Sequence, residues 1–214
     1  MTSRRADSQP VEPQALGDAA RTGLLLIISG PSGVGKTTIT HHVEQRLGGV
    51  FSVSLTTRPM TEADVPGRDY HFVDRAEFER RRDTGELLEW AEVFGNYYGT
   101  PKQPVVEALQ QGRLVLCEID VQGAIQIKRN LPDAYAIFVL PPSEEELLER
   151  LRRRGREDES VIQRRFARAR DEINRARESG VYDVFIVNDE LSRAVDEAVE
   201  RVEAERRRRA ERNV

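Results

Sequence analysis

The stretch GPSGVGKTTIT, at positions 30–40, constrains this chain more than any other part of its sequence. It follows the apolar run LLLII, and its first eight residues fit the pattern G-x4-G-K-[ST] at every fixed position. In such a loop the glycines let successive backbone N–H groups turn towards an anion, and the helix that begins at its end adds a positive dipole. The stretch therefore predicts a loop that binds the phosphates of ATP or GTP.

The residues of this loop have separate expected roles. We expect Lys36 to reach the terminal phosphates of the nucleotide and to act in catalysis, and the hydroxyl of Thr37 to ligate Mg²⁺. The loop alone does not indicate the reaction, because motors, switches and kinases share it. The residues expected to contact the nucleotide are Gly30, Pro31, Ser32, Gly33, Val34, Gly35, Lys36, Thr37 and Thr38.

Composition narrows the class of protein and its location. With 214 residues the chain is long enough for one domain with a sizeable core. Its net charge of −4 gives no general attraction to nucleic acid, and no run approaches the roughly 18 apolar residues of a membrane helix. The single cysteine, Cys117, suits a reducing compartment and a place in the core. We therefore expect a cytoplasmic protein without nucleic-acid or membrane partners, and the sequence leaves its oligomeric state open.

Apolar runs alternate with helical patterns along the chain, which predicts an α/β fold with a parallel sheet and helices on both faces. The clearest helix follows Ser143, where Ser143 and Glu146 fit a capping box and Gly155 ends the pattern. Closely spaced strand signals interrupt the alternation from about residue 52 to residue 102 and indicate an insertion. The expected strands are the runs 23–29, 51–58, 68–73, 113–123, 134–142 and 182–189.

A segment rich in arginine, RLRRRGREDESVIQRRFARAR, begins within the predicted helix after Ser143 and continues beyond it. Phosphoryl transfer spreads negative charge over the moving group, and arginines that close over it stabilise that charge and keep water out. The segment therefore predicts a lid, although a solvated helix face would carry similar charges. The expected division of the chain is a flexible leader over 1–22, core segments over 23–51, 106–151 and 167–205, the insertion over 52–105, the lid over 152–166 and a polar tail over 206–214.

The insertion offers side chains for a second substrate that faces the phosphate loop. Arg58, Tyr70 and Tyr98 could hold a monoester phosphate through an arginine fork and phenol hydroxyls. Glu89 in LLEWAE, together with the acids of CEID, could accept paired hydrogen bonds from a base such as guanine, whereas adenine offers no such donor pair. Each residue alone is a weak indication, and their order and spacing give them weight.

The chain resembles the guanylate kinases. The stretches SGPSGVGKTT, SVSLTTR, GRDYHFV, LLEWAEVFGNYYGT, EIDVQGA, RRRGRED and IVNDEL follow one another as they do in that family, from about residue 24 to residue 199. The resemblance implies a three-layer α/β/α fold of the P-loop NTPase class, with a parallel core sheet, an inserted GMP-binding domain over 52–105 and a helical lid. It also implies the reaction ATP + GMP → ADP + GDP, with Mg²⁺, and dGMP as a second acceptor.

The resemblance assigns roles residue by residue. Arg154 and Arg165 correspond to the lid arginines that reach the transferred phosphate. The residues that would contact guanine are Ser54, Glu89, Thr100 and Asp120, and those that would hold the GMP phosphate are Arg58, Tyr70 and Tyr98. The family usually has serine where Thr100 stands, and threonine keeps the hydroxyl.

One departure from the family pattern concerns the acceptor phosphate. Where guanylate kinases usually read TTRxPRxGE, this chain reads TTRPMTEAD, so Thr61 stands in place of a second phosphate-binding arginine. A hydrogen bond to a charged group contributes about 1.5–3 kcal/mol, so we expect GMP binding to be weakened roughly ten- to a hundredfold unless another residue compensates. Arg68 is a candidate by sequence distance. A Thr61→Arg variant with an unchanged KM for GMP would contradict this expectation.

Two alternatives keep the fold but change the function. The missing arginine leaves room for a kinase of another small acceptor, such as a sugar phosphate. A non-catalytic guanylate-kinase-like module that binds a protein partner is the other alternative, but such modules tend to have eroded phosphate loops, and this loop is intact.

Overall fold

The core of the protein is a parallel five-stranded sheet, seen in a computed structural model that describes residues 23–154 and 158–212. The predicted leader over 1–22 lies outside the described residues. In the order of the sheet, the strands are β2 (Val50–Phe51), β7 (Leu114–Glu118), β1 (Leu24–Ser29), β8 (Tyr135–Leu140) and β9 (Val184–Val187).

Helices cover both faces of this sheet, as the three-layer prediction requires. Every residue of β1 is buried, and alternate side chains enter two separate apolar clusters, with Leu25 and Ile27 in one and Leu26 and Ile28 in the other. A strand buried on both faces is expected to be a continuous apolar run, as β1 is. The helices are α1 (Lys36–Leu47), α2 (Arg75–Asp83), α3 (Lys102–Gln110), α4 (Val121–Asn130), α5 (Glu144–Arg154), α6 (Glu159–Ser179) and α7 (Leu191–Arg212).

The insertion forms a second sheet of four strands with a small core of its own around Leu55, Phe78 and Tyr97. Its strands, in sheet order, are β4 (His71–Phe72), β3 (Leu55–Thr56), β6 (Asn96–Pro101) and β5 (Leu87–Val93). β5 and β6 are antiparallel, and Glu89 lies opposite Thr100. This register places one predicted base-binding residue next to another.

The prediction of one strand over 51–58 is wrong, because the chain changes sheets within it. Val50–Phe51 pairs with β7 of the core, whereas Leu55–Thr56 pairs with β4 and β6 of the insertion. Both halves have the composition of a strand, and local sequence carries no information about which sheet each joins. The residues between them therefore connect the core sheet to the second sheet.

The strand predicted over 113–123 ends at Glu118, and helix α4 begins at Val121. Asp120 caps that helix, since its Oδ1 accepts a hydrogen bond of 2.9 Å from the N–H of Gly123. An aspartate three residues before the N–H that it accepts from is a typical N-cap. This cap was missed from the sequence because Asp120 lies within the run predicted to be a single strand.

Other local predictions are confirmed or adjusted at helix ends. Ser143 Oγ accepts from the N–H of Glu146 at 3.1 Å, so half of the capping box forms, while the Glu146 carboxylate accepts from Arg150 instead. Helix α7 continues to Arg212, so most of the segment expected as a polar tail is helical. None of the helices in the described part of the chain combines the length and apolar character needed to cross a bilayer.

Candidate active site

A cleft of about 380 Å³ lies between the phosphate loop, the second sheet and helix α6. It is lined both by residues of the phosphate loop and by residues predicted to bind the second substrate. The predicted residues that line it are Gly30, Ser32, Lys36, Ser54, Tyr70, Glu89, Tyr98, Asp120 and Arg165. The predicted residues that do not line it are Pro31, Gly33, Val34, Gly35, Thr37, Thr38, Arg58 and Thr100. The side chain of Arg154 lies outside what the structure describes.

The phosphate loop joins the carboxyl end of β1 to the first turn of α1. Lys36 Nζ donates to the carbonyl oxygens of Gly30 and Pro31 at 2.6 and 3.2 Å, so the ammonium group lies over the loop. Gly35 precedes the helix with φ of 99°, and a Cβ there would lie 2.7 Å from Nδ2 of Asn188. Only glycine fits this position, because a side chain would strain the backbone and meet Asn188.

Asn188 supports the loop from the end of β9, and sequence reasoning did not identify it. Its Nδ2 donates to the carbonyl oxygen of Val34 at 2.7 Å, and both residues are buried. The carboxyl ends of parallel strands meet at one edge of a sheet, and polar residues at strand ends are candidates for this edge. The polar pair after FIV in the sequence is the signal that could have indicated it.

Glu118 lies beside the phosphate loop rather than in the base pocket. It ends β7, in register with Ile28 of β1, and its Oε1 accepts from the hydroxyl of Thr37 at 2.9 Å. A hydroxyl oxygen and a carboxylate oxygen thus lie next to each other at the start of α1. Thr38 is exposed, and its side chain has no comparable contact with any described residue; its carbonyl oxygen bonds to Nδ1 of His42 at 2.8 Å.

Glu89 and Thr100 form a buried polar pair at the inner end of the cleft. The hydroxyl of Thr100 donates to Glu89 Oε1 at 2.6 Å, and Thr100 itself is fully buried behind the carboxylate. Burial raises the pKa of Glu89 to about 7, and the negative charge of Asp120 adds to this, while the hydrogen bond from Thr100 opposes it. Gly123 leaves room for the carboxylate, since a Cβ there would lie 2.9 Å from Cδ of Glu89.

The residues expected to hold the acceptor phosphate cluster at one side of the cleft. The rings of Tyr70 and Tyr98 are 5.7 Å apart, and the Arg58 guanidinium lies 5.4 Å from the Tyr70 ring. Both terminal nitrogens of Arg58 donate to the carboxylate of Asp64, at 2.8 and 3.1 Å. The same carboxylate accepts from the backbone N–H and the hydroxyl of Thr61, both at 2.7 Å. Asp64 therefore occupies the fork of Arg58.

Arg68 does not take the place of the missing arginine in this conformation. Its Nε donates to Oδ1 of Asp69 at 3.2 Å, its side chain is 68% exposed, and it does not line the cleft.

Helix α6 forms the wall of the cleft that faces the second sheet. Arg165 Nη2 donates to Ser32 Oγ at 2.8 Å, which brings this predicted lid arginine onto the phosphate loop. Arg168, Ala169 and Glu172 follow on the same helix face and also line the cleft. Sequence reasoning did not identify Arg168 or Glu172, although their spacing of three and seven residues from Arg165 is the signal for a shared face.

Glu172 is largely removed from solvent in this wall. Burial raises the pKa of its carboxyl group, and the positive charges of Lys36 and Arg168 oppose that rise. The cleft thus carries cations and carboxylates close together, and titratable groups with shifted pKa values often cluster in this way at functional sites.

Comparisons with known proteins match the chain over nearly all the described residues. The family model described as guanylate kinase matches residues 22–205. A guanylate kinase of Gloeobacter violaceus is 54% identical over 179 residues, which cover 83% of this chain and 85% of that protein. One from Rhizobium etli is 48% identical over 212 residues, covering 97% and 91%. The crystal structure of guanylate kinase from Anaplasma phagocytophilum has a TM-score of 0.69 and 34% identity, covering 86% of each chain.

Proposed function

The chain belongs to the guanylate kinase family, and from this premise we propose how its cleft carries out the ATP-dependent phosphorylation of GMP to GDP. One observation supports the assignment of residues above all others. A single cleft contains Lys36 of the phosphate loop at one side and Glu89 with Tyr98 at the other. A donor triphosphate on the loop and an acceptor nucleotide on the second sheet would therefore face each other.

Glu89 is the residue that selects the base in this proposal. As a carboxylate it offers two oxygens to the adjacent N1–H and N2–H donors of guanine, and Thr100 fixes one oxygen by its hydrogen bond. The side chains of Ala91, Val93 and Ala169 line the same cleft and provide apolar walls for a flat ring. Adenine lacks the donor pair and would leave the buried carboxylate unpaired, which costs binding energy.

The transfer step needs charge stabilisation more than proton transfer, because the acceptor phosphate is already an anion. Lys36 and Arg165 converge on the phosphate loop and would stabilise the charge of the transferred group. Closure of α6 and the preceding lid segment over the cleft would exclude water, which otherwise competes as the acceptor. By resemblance, Arg154 would join Arg165 in this role.

The hydroxyl and carboxylate oxygens at the start of α1 are ligands of the type that Mg²⁺ prefers. Magnesium is usually held by one or two protein oxygens together with substrate phosphates and water, and the Thr37 hydroxyl and Glu118 carboxylate supply such oxygens 2.9 Å apart. When bound, the ion would neutralise charge on the donor phosphates. We expect Thr37 to ligate it and Glu118 to hold the Thr37 hydroxyl or a magnesium-bound water.

The wider role of the protein follows from this reaction and stays a proposal. Phosphorylating GMP, and dGMP through the same pocket, is a step of purine nucleotide metabolism. A reducing cytoplasm suits Cys117, which is a buried thiol whose pKa burial raises to about 12, so it is an inert core residue.

An assay of ADP formation with ATP and a panel of acceptors tests the proposed function. We expect GMP and dGMP to be phosphorylated, with AMP, UMP and ribose bisphosphate far slower. Glu89→Gln keeps one acceptor but replaces the other by a donor, so it should lower kcat/KM for GMP roughly a hundredfold or more. Equal rates with ribose bisphosphate and GMP would favour the alternative of a kinase for another acceptor. No phosphorylation of any acceptor would favour a binding module.

A further inference from the structure

The side of the cleft proposed to bind the acceptor has few positively charged groups that could bind a phosphate. Thr61 stands where the guanylate kinase pattern that this chain resembles has a second phosphate-binding arginine, and both terminal nitrogens of Arg58 bond to the carboxylate of Asp64. A phosphate dianion binds well where guanidinium groups can offer paired N–H donors. With the charge of Arg58 paired to Asp64, the two tyrosine hydroxyls would leave much of the phosphate charge uncompensated, so another cation in the cleft would strengthen binding.

Arg168 of α6 is a cation in the cleft that no role described above uses. It lies one helical turn after Arg165, and its Nε donates to Glu172 Oε1 at 3.2 Å. Its guanidinium is 4.5 Å from the centre of the Phe94 ring. Among the residues that the structure describes, its two terminal nitrogens have no hydrogen-bond acceptor, in contrast to those of Arg58, and 31% of the side chain is exposed.

One contact of its neighbour Arg165 and one of its own place Arg168 between the phosphate loop and the second sheet. On one side its neighbour Arg165 bonds to Ser32 of the phosphate loop. On the other side Phe94 lies at the tip of the β5–β6 hairpin, which belongs to the acceptor domain. Along β5 the cleft is lined successively by Glu89, Ala91, Val93 and Phe94, so Phe94 is at the end away from the base pocket. Tyr70 and Tyr98, which are expected to hold the acceptor phosphate, line the same cleft, and Tyr98 pairs with Ala91 between these two ends.

Phe94 has an unusual conformation for an aromatic residue. Its φ is 52°, in the left-handed region, and 72% of the residue is exposed. The two-residue turn between Val93 and Asn96 accounts for it, since a type I′ turn needs positive φ at both central residues, here Phe94 and Gly95 (φ 78°). Here Phe94 presents an aromatic face to a guanidinium, a contact that orients the group without consuming its N–H donors.

We propose that Arg168 binds the phosphate of the acceptor nucleotide and compensates for the arginine absent at Thr61, with Phe94 and Glu172 as positioning residues. The ring of Phe94 and the single bond to Glu172 hold the guanidinium at the cleft and leave its terminal N–H groups for two phosphate oxygens. This inference rests on the proposed function, since it takes GMP as the acceptor.

Steady-state kinetics of Arg168→Ala, with Arg164→Ala as the matched control, tests the proposal. Arg164 is an arginine of the same helix that is exposed and does not line the cleft. We expect Arg168→Ala to raise the KM for GMP about ten- to a hundredfold. The KM for ATP should change little, and the control should match the wild type. Arg168→Lys keeps the positive charge but loses the paired N–H donors of the guanidinium, so its KM for GMP should lie between those of the wild type and Arg168→Ala.

Binding of guanosine separates a phosphate contact from a structural effect. Guanosine has the base and sugar of GMP but no phosphate, so Arg168→Ala should weaken GMP binding and leave guanosine binding unchanged. Equal losses for both ligands would mean that Arg168 only supports the pocket, and the proposal would be wrong. It would also be wrong if the KM for ATP rose instead of the KM for GMP.

The double variant with Thr61→Arg tests the compensation itself. An arginine returned at 61 should recover much of the GMP affinity lost in Arg168→Ala, and should improve the wild type by a smaller factor. Equal gains in both backgrounds would mean that the two positions act independently and would contradict the compensation. If the wild type does not phosphorylate GMP at all, the proposed function fails as well. If it does, and Arg168→Ala is unchanged, this inference alone fails.

Discussion

Asp64 and Arg58 form a two-bonded ion pair beside the acceptor cleft, with the Arg58 terminal nitrogens 2.8 and 3.1 Å from the two carboxylate oxygens. The bonds from Arg58, and those from Thr61, hold the pKa of the Asp64 carboxyl well below its usual range. The carboxylate is thus ionised throughout the physiological range, and a substrate phosphate that uses Arg58 must displace it or bind next to it. We therefore expect the pair to set part of the affinity for the acceptor.

Asp64→Asn should strengthen GMP binding. The change removes the negative charge that competes with the phosphate, and for an ion pair of this exposure we expect the KM for GMP to fall about two- to fivefold. Asp69→Asn is the control, because Asp69 lies in the same loop and also accepts from a backbone N–H but does not contact Arg58. Steady-state kinetics at saturating ATP measures both. A higher KM in Asp64→Asn would show that Asp64 orients Arg58 for the phosphate.

The affinity for the guanine base should depend on pH through Glu89. Its pKa in the empty cleft is about 7 because of burial, so the group is mostly protonated at pH 6 and mostly ionised at pH 8. The base needs the carboxylate, whose two oxygens both accept. Affinity should therefore rise about tenfold from pH 6 to pH 8.

Calorimetry with guanosine measures this pH dependence, since the phosphate of GMP itself titrates near pH 6. Glu89→Gln should bind guanosine weakly and with no pH dependence over the same range. A flat profile for the wild type would mean that Glu89 is already ionised in the empty cleft.

Gly123→Ala should displace the carboxylate of Glu89, the residue proposed to bind the base. The added Cβ would overlap Oε2 of Glu89 and lie 2.9 Å from its Cδ, while helix α4 itself tolerates alanine well. Displacing a substrate-positioning group by a fraction of an ångström to an ångström can cost up to about a hundredfold in rate, so we expect kcat/KM for GMP to fall ten- to a hundredfold.

The KM for ATP and the thermal unfolding temperature should stay close to those of the wild type. Gln122→Ala, one position earlier in α4, adds no atom next to Glu89 and serves as the control. Normal GMP kinetics in Gly123→Ala would mean that Glu89 can move without loss and does not select the base.

Arg165→Ala should slow the chemical step. Arg165 reaches the phosphate loop at Ser32, and an arginine that stabilises charge in phosphoryl transfer contributes about a thousandfold or more to kcat. The KM for GMP should change little, in contrast to Arg168→Ala. Single-turnover measurements of GDP formation separate chemistry from product release, with Arg164→Ala again as the control. A kcat within about twofold of the wild type would remove Arg165 from the catalytic residues.

Features set by residues close together in the sequence could be predicted, whereas features set by contacts between distant segments could not. The phosphate loop could be predicted because a few adjacent residues set its backbone, and Gly35 and Lys36 lie where the loop meets helix α1. The division of the run 51–58 between two sheets could not, because each half pairs with strands far away in the chain. Likewise, helical spacing groups Arg165 with Arg168 but does not indicate that their face turns towards the cleft.

The amino-acid sequence by itself determined the local chemistry of this protein: a phosphate loop after a buried strand, an inserted segment rich in hydroxyls and carboxylates, and a helix dense in arginine. Tertiary structure decided which charged group meets which. It placed Glu118 at Thr37 through the pairing of β7 with β1, Glu89 at Thr100 through the register of β5 and β6, and Asp64 on Arg58 through a loop. The physical reason is that backbone conformation is set by neighbouring residues, whereas the partner of a side chain depends on strand register and helix orientation across the whole fold.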